Sequence, residues 1–222
     1  MKRSTLYAIL NFLLPRVSDL EFRGTENLPK EGGFILATNH MSRIDTPLLM
    51  INPARPDINA LVADKYKKDL FFAWFINAAG AIWLDRDKAD FAAFRAAQQA
   101  LKDGWVIGIA PEGTRSNTGT LLQGKPGTIL LAMRTGVPIF PCAIAGSENA
   151  FKQIFTLRRP KIIVTFGKPY LLPTIERENR DEIMQQCTDE IMCRLAAMLP
   201  EKYHGFYKGH PRIKELIASG AV

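Results

Sequence analysis

At 222 residues the chain is long enough for one sizeable core, and no Pro-, Gly- or Ser-rich interior stretch separates two. Hydrophobic residues make up 47% and charged residues 23%, a balance that excludes an intrinsically disordered chain. The net charge is +7, and residues 149–175 carry Lys152, Arg158, Arg159, Lys161 and Lys168 with no acidic residue, which suits a phosphate-bearing ligand, nucleic acid, an anionic membrane or simply a solvated basic loop.

The first segment, MKRSTLYAILNFLLPRV (1–17), reads as an amphipathic helix with Leu6, Ile9, Leu10 and Leu13 on one face. Its uncharged run from Ser4 to Pro15 is too short to span a bilayer, and no small-residue cleavage site follows, so no cleaved signal peptide is expected. Such a helix either lies in a membrane interface or packs on its own domain. The next apolar run, GFILAT (33–38), is a buried strand, and it gives way to NHMSRID (39–45). His40 and Asp45 are five positions apart, about 140° around a regular helix, so they share no helical face. They can meet if His40 stands on the turn after the strand and Asp45 on the first turn of the following helix. There the carboxylate would fix the imidazole tautomer and stabilise its protonated form, the logic of a general base. The six residues alone equally allow Asp45 to cap the helix begun by DTPLL, with His40 an ordinary surface residue.

INALVA (58–63) is a second strand, followed by the basic KYKK (65–68). The uncharged run 70–84 is short of a membrane span, and Gly80 divides it into a helix and the strand AIWL (81–84). Aromatic residues of that helix, such as Trp74 and Phe75, suit core packing or contact with an acyl chain or membrane. WLDRD (83–87) places Arg86 just after the strand. A helix over 88–103 carries Phe94, Ala97 and Leu101 on one face and stops at Gly104. The strand WVIGIA (105–110) runs straight into PEGTRS (111–116), which offers Glu112, Thr114 and Arg115 around Gly113, a residue that permits close backbone approach. An arginine fork there would hold two phosphate oxygens at once.

GTLLQGKP (119–126) nearly matches a phosphate-binding loop, but Pro126 stands where a hydroxyl residue would bind magnesium, and Leu121 and Leu122 are bulky for wrapping phosphate. Lys125 and the start of the helix 126–136 remain candidates for meeting an anion. IFPCAIA (139–145) and KIIVTF (161–166) complete six expected strands, and a long helix over 180–199 carries Ile183, Cys187, Ile191, Leu195 and Met198 on one stripe before Pro200. The alternation implies an α/β fold with a mainly parallel central sheet flanked by helices, in which ligands bind beyond the carboxyl ends of strands. Cys142, Cys187 and Cys193 form neither a CxxC pair nor an even disulfide framework, which fits a reducing compartment. The three histidines, His40, His204 and His210, show no metal-ligand spacing with them.

Four blocks in order, NHMSRID (39–45), GAIWLDR (80–86), PEGTRS (111–116) and VPIFPCAIAG (137–146), resemble the glycerolipid acyltransferase family typified by 1-acylglycerol-3-phosphate acyltransferases. The resemblance covers roughly residues 18–170 and rests above all on the first and third blocks. It implies that His40 is the general base, Asp45 its orienting partner, and that Arg86, Glu112, Gly113 and Arg115 bind a phosphate-bearing acceptor; Thr114 of the same loop, Lys125, Pro138 and Pro141 are further acceptor-site candidates. The implied reaction moves an acyl group from acyl-CoA or an acyl carrier protein thioester to the hydroxyl of lysophosphatidate in phospholipid biosynthesis, with no metal, no other cofactor and no acyl-enzyme intermediate.

Glycerol-3-phosphate or another lysophospholipid is the alternative acceptor. The implied partners are the lysophospholipid, the thioester donor and an anionic membrane surface rather than nucleic acid, and the expected location is the cytoplasmic face of a membrane, held peripherally or monotopically. The domains expected are the helix 1–17, an acyltransferase domain 18–200 and a tail 201–222. Two features depart from the family pattern. Ala110 stands where an aromatic residue often precedes PEG, and the hydrophobic N-terminal region is shorter than in many members. Readings from other classes are a non-catalytic lipid-binding protein, a nucleotide-binding loop protein, or a serine hydrolase, which lacks its GxSxG and would have to use Ser42.

Overall fold

The structure is a computed structural model that describes residues 1–85, 90–173 and 179–222. Among these residues seven strands form one sheet: β1 (Asp19–Arg23), β2 (Phe34–Thr38), β3 (Ile58–Ala63), β4 (Ile82–Leu84), β5 (Val106–Ile109), β6 (Ile139–Ala145) and β7 (Lys161–Phe166), in the order β1-β7-β6-β2-β5-β3-β4. Neighbours run parallel except β6 and β7, so β7 and β1 point opposite to the other five. All six strands expected from apolar runs are present. The unforeseen one, β1, is an edge strand in which Asp19, Glu21 and Arg23 alternate with Leu20 and Phe22, so only half of it is apolar.

Eight α-helices are seen among the described residues: α1 (Arg3–Val17), α2 (Asp45–Met50), α3 (Leu70–Ala79), α4 (Phe91–Lys102), α5 (Gly127–Thr135), α6 (Ala150–Phe155), α7 (Arg180–Ala197) and α8 (Pro211–Ser219). The pleat of the central strand β2 divides the core. Phe34 and Leu36 face one cluster with Leu14, Leu48 and Leu49 of α1 and α2, whereas Ile35 and Ala37 face a second cluster with Ala97, Ile129 and Ile191 of α4, α5 and α7. Helix α4 starts on the Asp90 side chain, which accepts the Ala93 N–H, and stops as expected at Gly104 in the left-handed conformation, with the Trp105 N–H returning to the Ala100 carbonyl.

Two expectations change. In α1 the inward stripe is Leu6, Leu10 and Leu14, spaced four apart, so Ile9 and Leu13 of the expected face turn outward beside the exposed Phe12. The helix therefore packs on its domain and still displays an apolar outer side. Its start is pinned by Arg3, which donates to Asn59 Oδ1 (2.7 Å) and the Ile58 carbonyl (2.6 Å). Residues 201–222, expected as a tail, instead fold back as α8 on α7 and bury Tyr203, Tyr207, Ile213 and Leu216 in a third cluster with Met192 and Leu195. That is why the C-terminal half of α7 is buried nearly all round rather than along one stripe.

Leu216 is fully buried, so Leu216→Ala should cost about 2–5 kcal/mol of unfolding free energy in urea titrations. A residue in a detached tail would cost nothing measurable.

Candidate active site

Three loops meet at the carboxyl ends of β2, β5 and β3. After β2, the buried Asn39 fixes the backbone direction: its side chain donates to the Ile144 carbonyl (2.9 Å) and accepts the Ile144 N–H (2.8 Å), extending the pairing with β6 by one residue. His40 follows with its side chain 26% exposed, and its Nδ1 lies 2.9 Å from Asp45 Oδ2. The same carboxylate oxygen accepts the Met41 and Ser42 N–H groups, each at 2.8 Å. Asp45 is thus no N-cap for α2. It reaches back, 2% exposed, to brace the turn that carries His40, and sets the ring orientation in doing so. With Nδ1 committed, Nε2 is the nitrogen left for chemistry, and His40 lines a large cavity.

The PEGTRS loop grips the same residue. Glu112 is 1% exposed, and its Oε1 accepts the His40 N–H (3.0 Å) while Oε2 accepts the Leu122 N–H (2.8 Å). The Ser116 N–H donates to the His40 carbonyl (2.8 Å), so both backbone groups of His40 are held by this loop. Burial pushes the Glu112 carboxyl up to about 7, against the opposing pull of its two backbone donors. Its oxygens are turned to backbone amides rather than to the cavity, so its expected role as a substrate contact gives way to that of a strut. Gly113 adopts φ +70°, and a Cβ there would come within 3.1 Å of the Lys125 side chain, which explains glycine at this turn.

The cavity, about 470 Å³, has two characters. Around His40 stand Arg43, Arg115 and Lys125 and the start of α5, whose N-terminus has no side-chain cap and whose buried Thr128 hydroxyl has no partner among the described residues. Uncapped N–H groups beside two or three cations make an anion-attracting end. The rest of the cavity, its apolar limb, draws on both faces of the sheet, with Phe75 and Ile76 of α3 on one side and Leu61, Phe94 and Leu131 on the side of α4 and α5. On the α1–α2 face, Ala60 of β3 and Gly108 of β5 are cross-strand partners that put almost no side chain into the part of this space lined by Leu49, Met50 and Ile76.

Of the residues expected at the site, His40, Asp45, Gly113, Arg115 and Lys125 line this cavity. Thr114 is exposed and lies outside the lining. Pro138 and Pro141 also lie outside it: the Pro138 carbonyl accepts the Ile35 N–H, and Pro141 is buried in β6 against Gly167, so both serve packing. Arg86 lies outside the described residues. The sequence reading missed Asn39, Arg43 and Thr128; an Asn directly after a buried strand and an Arg inside the H-x4-D block were the available signals. The loop 119–126 does not wrap an anion, because its amides are already used: Leu121 N–H by the Tyr203 carbonyl, Leu122 by Glu112, Gly124 by the Tyr207 hydroxyl and Lys125 by the Pro111 carbonyl. Ser42 is buried, with its N–H spent on Asp45.

Residues 19–145, more than half of the chain, match the family model described as Acyltransferase. The chain belongs to this acyltransferase family. It is 31% identical over 178 residues to a 1-acyl-sn-glycerol-3-phosphate acyltransferase of Borreliella burgdorferi, covering 78% of this chain and 70% of that one. The enzyme of the same name from Bacillus subtilis is 26% identical over 144 residues, 65% of this chain and 70% of its own. Among solved structures, the 1-acyl-sn-glycerophosphate acyltransferase PlsC of Thermotoga maritima superimposes with a TM-score of 0.63 at 26% identity, covering 85% of this chain and 79% of that one. This acyltransferase thus carries its H-x4-D pair and PEGTRS loop in one cavity of the fold its relatives share.

Glu112 titrates near its ordinary 4.5 in the unfolded chain and near 7 when folded, so the native state holds a proton that the unfolded chain has lost. Stability should therefore fall as pH rises across that window, by at most about 1.4 kcal/mol per unit. In Glu112→Gln this slope should disappear. The side-chain NH₂ would also face a backbone N–H, at a cost of about 1–3 kcal/mol, which urea unfolding across the same pH range reads directly.

Proposed function

We propose that this acyltransferase moves a fatty acyl group from a thioester, acyl-CoA or an acyl carrier protein conjugate, to the free hydroxyl of lysophosphatidate, giving phosphatidate. The observation that carries the reading is the position of His40, oriented by Asp45 at the junction between the cationic end and the apolar limb of one cavity. The acceptor's phosphate goes to Arg115, Lys125 and the N-terminus of α5, and the apolar limb holds an acyl chain. His40 Nε2 takes the hydroxyl proton as the oxygen attacks the thioester carbonyl. The tetrahedral intermediate collapses by breaking the C–S bond, and the imidazolium returns its proton to the departing thiolate. Asp45 stabilises the imidazolium between those steps. The lysophosphatidate assignment is supported by the names of the relatives and by the cations beside the base.

A lipid acceptor calls for work at a membrane surface, and we place the protein peripherally on the cytoplasmic face. No helix of the described residues is long and apolar enough to cross a membrane. The outward Ile9, Phe12 and Leu13 of α1 and the exposed Leu70 and Trp74 of α3 offer an apolar side for lying on one.

Purified His40→Ala and Asp45→Asn should each keep the fold and lose roughly two to four orders of magnitude in thioester-dependent transfer to lysophosphatidate. Full activity in both folded variants would sink the mechanism, and transfer to glycerol-3-phosphate in preference to lysophosphatidate would sink the acceptor. Filling the gap in the sheet with Ala60→Phe should shift preference toward shorter acyl donors while leaving turnover of the shortest ones largely intact, read from rates on a thioester series.

A further inference from the structure

Helix α6 ends in an unusual way. Helices α3, α4, α5 and α8 close on a glycine at positive φ, namely Gly80, Gly104, Gly136 and Gly220. In α6 the same position is Leu157, at φ +56°. The Leu157 N–H returns to the Ile154 carbonyl and the Arg158 N–H to the Gln153 carbonyl (2.8 Å), the hydrogen bonds of a glycine-type helix stop. A branched apolar residue is strained in this conformation, and packing gives nothing back, because Leu157 is 96% exposed. Phe155, two residues earlier, is 83% exposed. The fold itself has no use for either side chain.

Their surroundings carry a cationic excess, although β1 brings the exposed Asp19 opposite Lys161. Lys152, Arg158 and Arg159 are exposed on the same corner, within a stretch that contains no acidic residue. Arg159 donates to the carbonyls of Pro15 and Ser18, both at 2.8 Å, which ties the corner to the end of α1 where Phe12, Leu13 and Arg16 are exposed. The location follows from the sheet. β2 and β6 run parallel, so Thr38 and Ala145 finish at the same end, and β7 begins there because Ile163 pairs with Ala145. The α6–β7 corner therefore stands at the end of the sheet that carries His40.

Resting on the reading of this enzyme as one that works at a membrane surface, we infer that the α6–β7 corner is a lipid-docking knuckle. Phe155 and Leu157 insert among acyl chains, and Lys152, Arg158 and Arg159 meet anionic headgroups. Apolar side chains that protrude from a basic rim gain from both contributions: transfer out of water for the insert, and attraction to the negative surface for the rim. The corner adds a second contact to the outer side of α1 and fixes which end of the sheet faces the lipid. An acceptor drawn from the bilayer then arrives at the His40 end.

The full chain is tested by sedimentation with vesicles of phosphatidylcholine and of phosphatidylcholine with phosphatidylglycerol in equal parts. Phe155→Ser combined with Leu157→Asn should lower partition into the mixed vesicles by roughly tenfold or more. Arg158→Gln should lower it by about fivefold, an effect that added salt removes. Asn accepts a positive φ, so the double variant should melt no lower than wild type, and transfer to a water-soluble short-chain acceptor should be unchanged. Equal vesicle binding by wild type and double variant overturns the knuckle, as does a wild type that binds neither vesicle; the latter is also what a protein partner at this corner would produce. Loss of vesicle binding in the variants of a protein that transfers no acyl group would keep the knuckle and remove the proposed reaction.

Discussion

The carboxylate of Glu112 is the point on which the site hangs. It sits in the first turn after β5, yet its two oxygens hold the backbone of His40 after β2 and of Leu122 ten residues further on. Three stretches of chain that share no secondary structure are thereby fixed to one another through a single side chain. Burial raises the cost of the charge, so the strut is also a titrating group whose proton competes with one of its two bonds. Remove it and His40 keeps Asp45 beside it and the Ser116 N–H on its carbonyl, but the pair loses one of the two backbone bonds that index it to the PEGTRS loop. The base chemistry proposed for this pair would depend on that index, because a displacement of about 1 Å at a reacting group can cost roughly a hundredfold in rate.

The C-terminal segment supports the same construction from outside. The Tyr207 hydroxyl accepts the Gly124 N–H and donates to Asp189 of α7, and the Tyr203 hydroxyl bridges the Gly146 N–H and Glu148. Together with the Leu121 pairings, these bonds clasp the loop that delivers both Leu122 and Lys125. Residues beyond the segment matched by the family model thus hold part of the cavity in shape. The loop that carries Lys125 is held by a scaffold that lies later in the chain.

What the sequence made legible follows from where the physics is local. Fully buried strands such as Phe34–Thr38 and Ile139–Ala145 announce themselves as apolar runs, and glycine stops such as Gly104 and Gly136 punctuate helices. The edge strand β1 is hidden because its pairing partner lies far along the chain and three of its five residues are charged. The His40–Asp45 pair could be named, but whether Asp45 capped α2 or served the imidazole was settled only by the three donors converging on Oδ2. Glu112 enters the expected acceptor site through the family resemblance, and an acidic residue beside an arginine in a loop gives no sign of facing inward. Its partners are backbone amides, which carry no residue-type signal. Leu157 was invisible for a related reason, since a positive φ belongs to the three-dimensional turn and not to the residue that occupies it.

The open space above Ala60 and Gly108 has a thermodynamic side as well. A sheet that omits side chains at a cross-strand pair leaves apolar walls facing each other across a gap, and those walls forgo contacts that a filled core would make. Whatever chain enters supplies them, so occupancy and folding are linked: the liganded protein unfolds less readily, by an amount set by the logarithm of ligand concentration over its dissociation constant. On the proposed reading, an acyl chain bound in this cavity would be a temporary piece of the core, and the empty protein a slightly unfinished one.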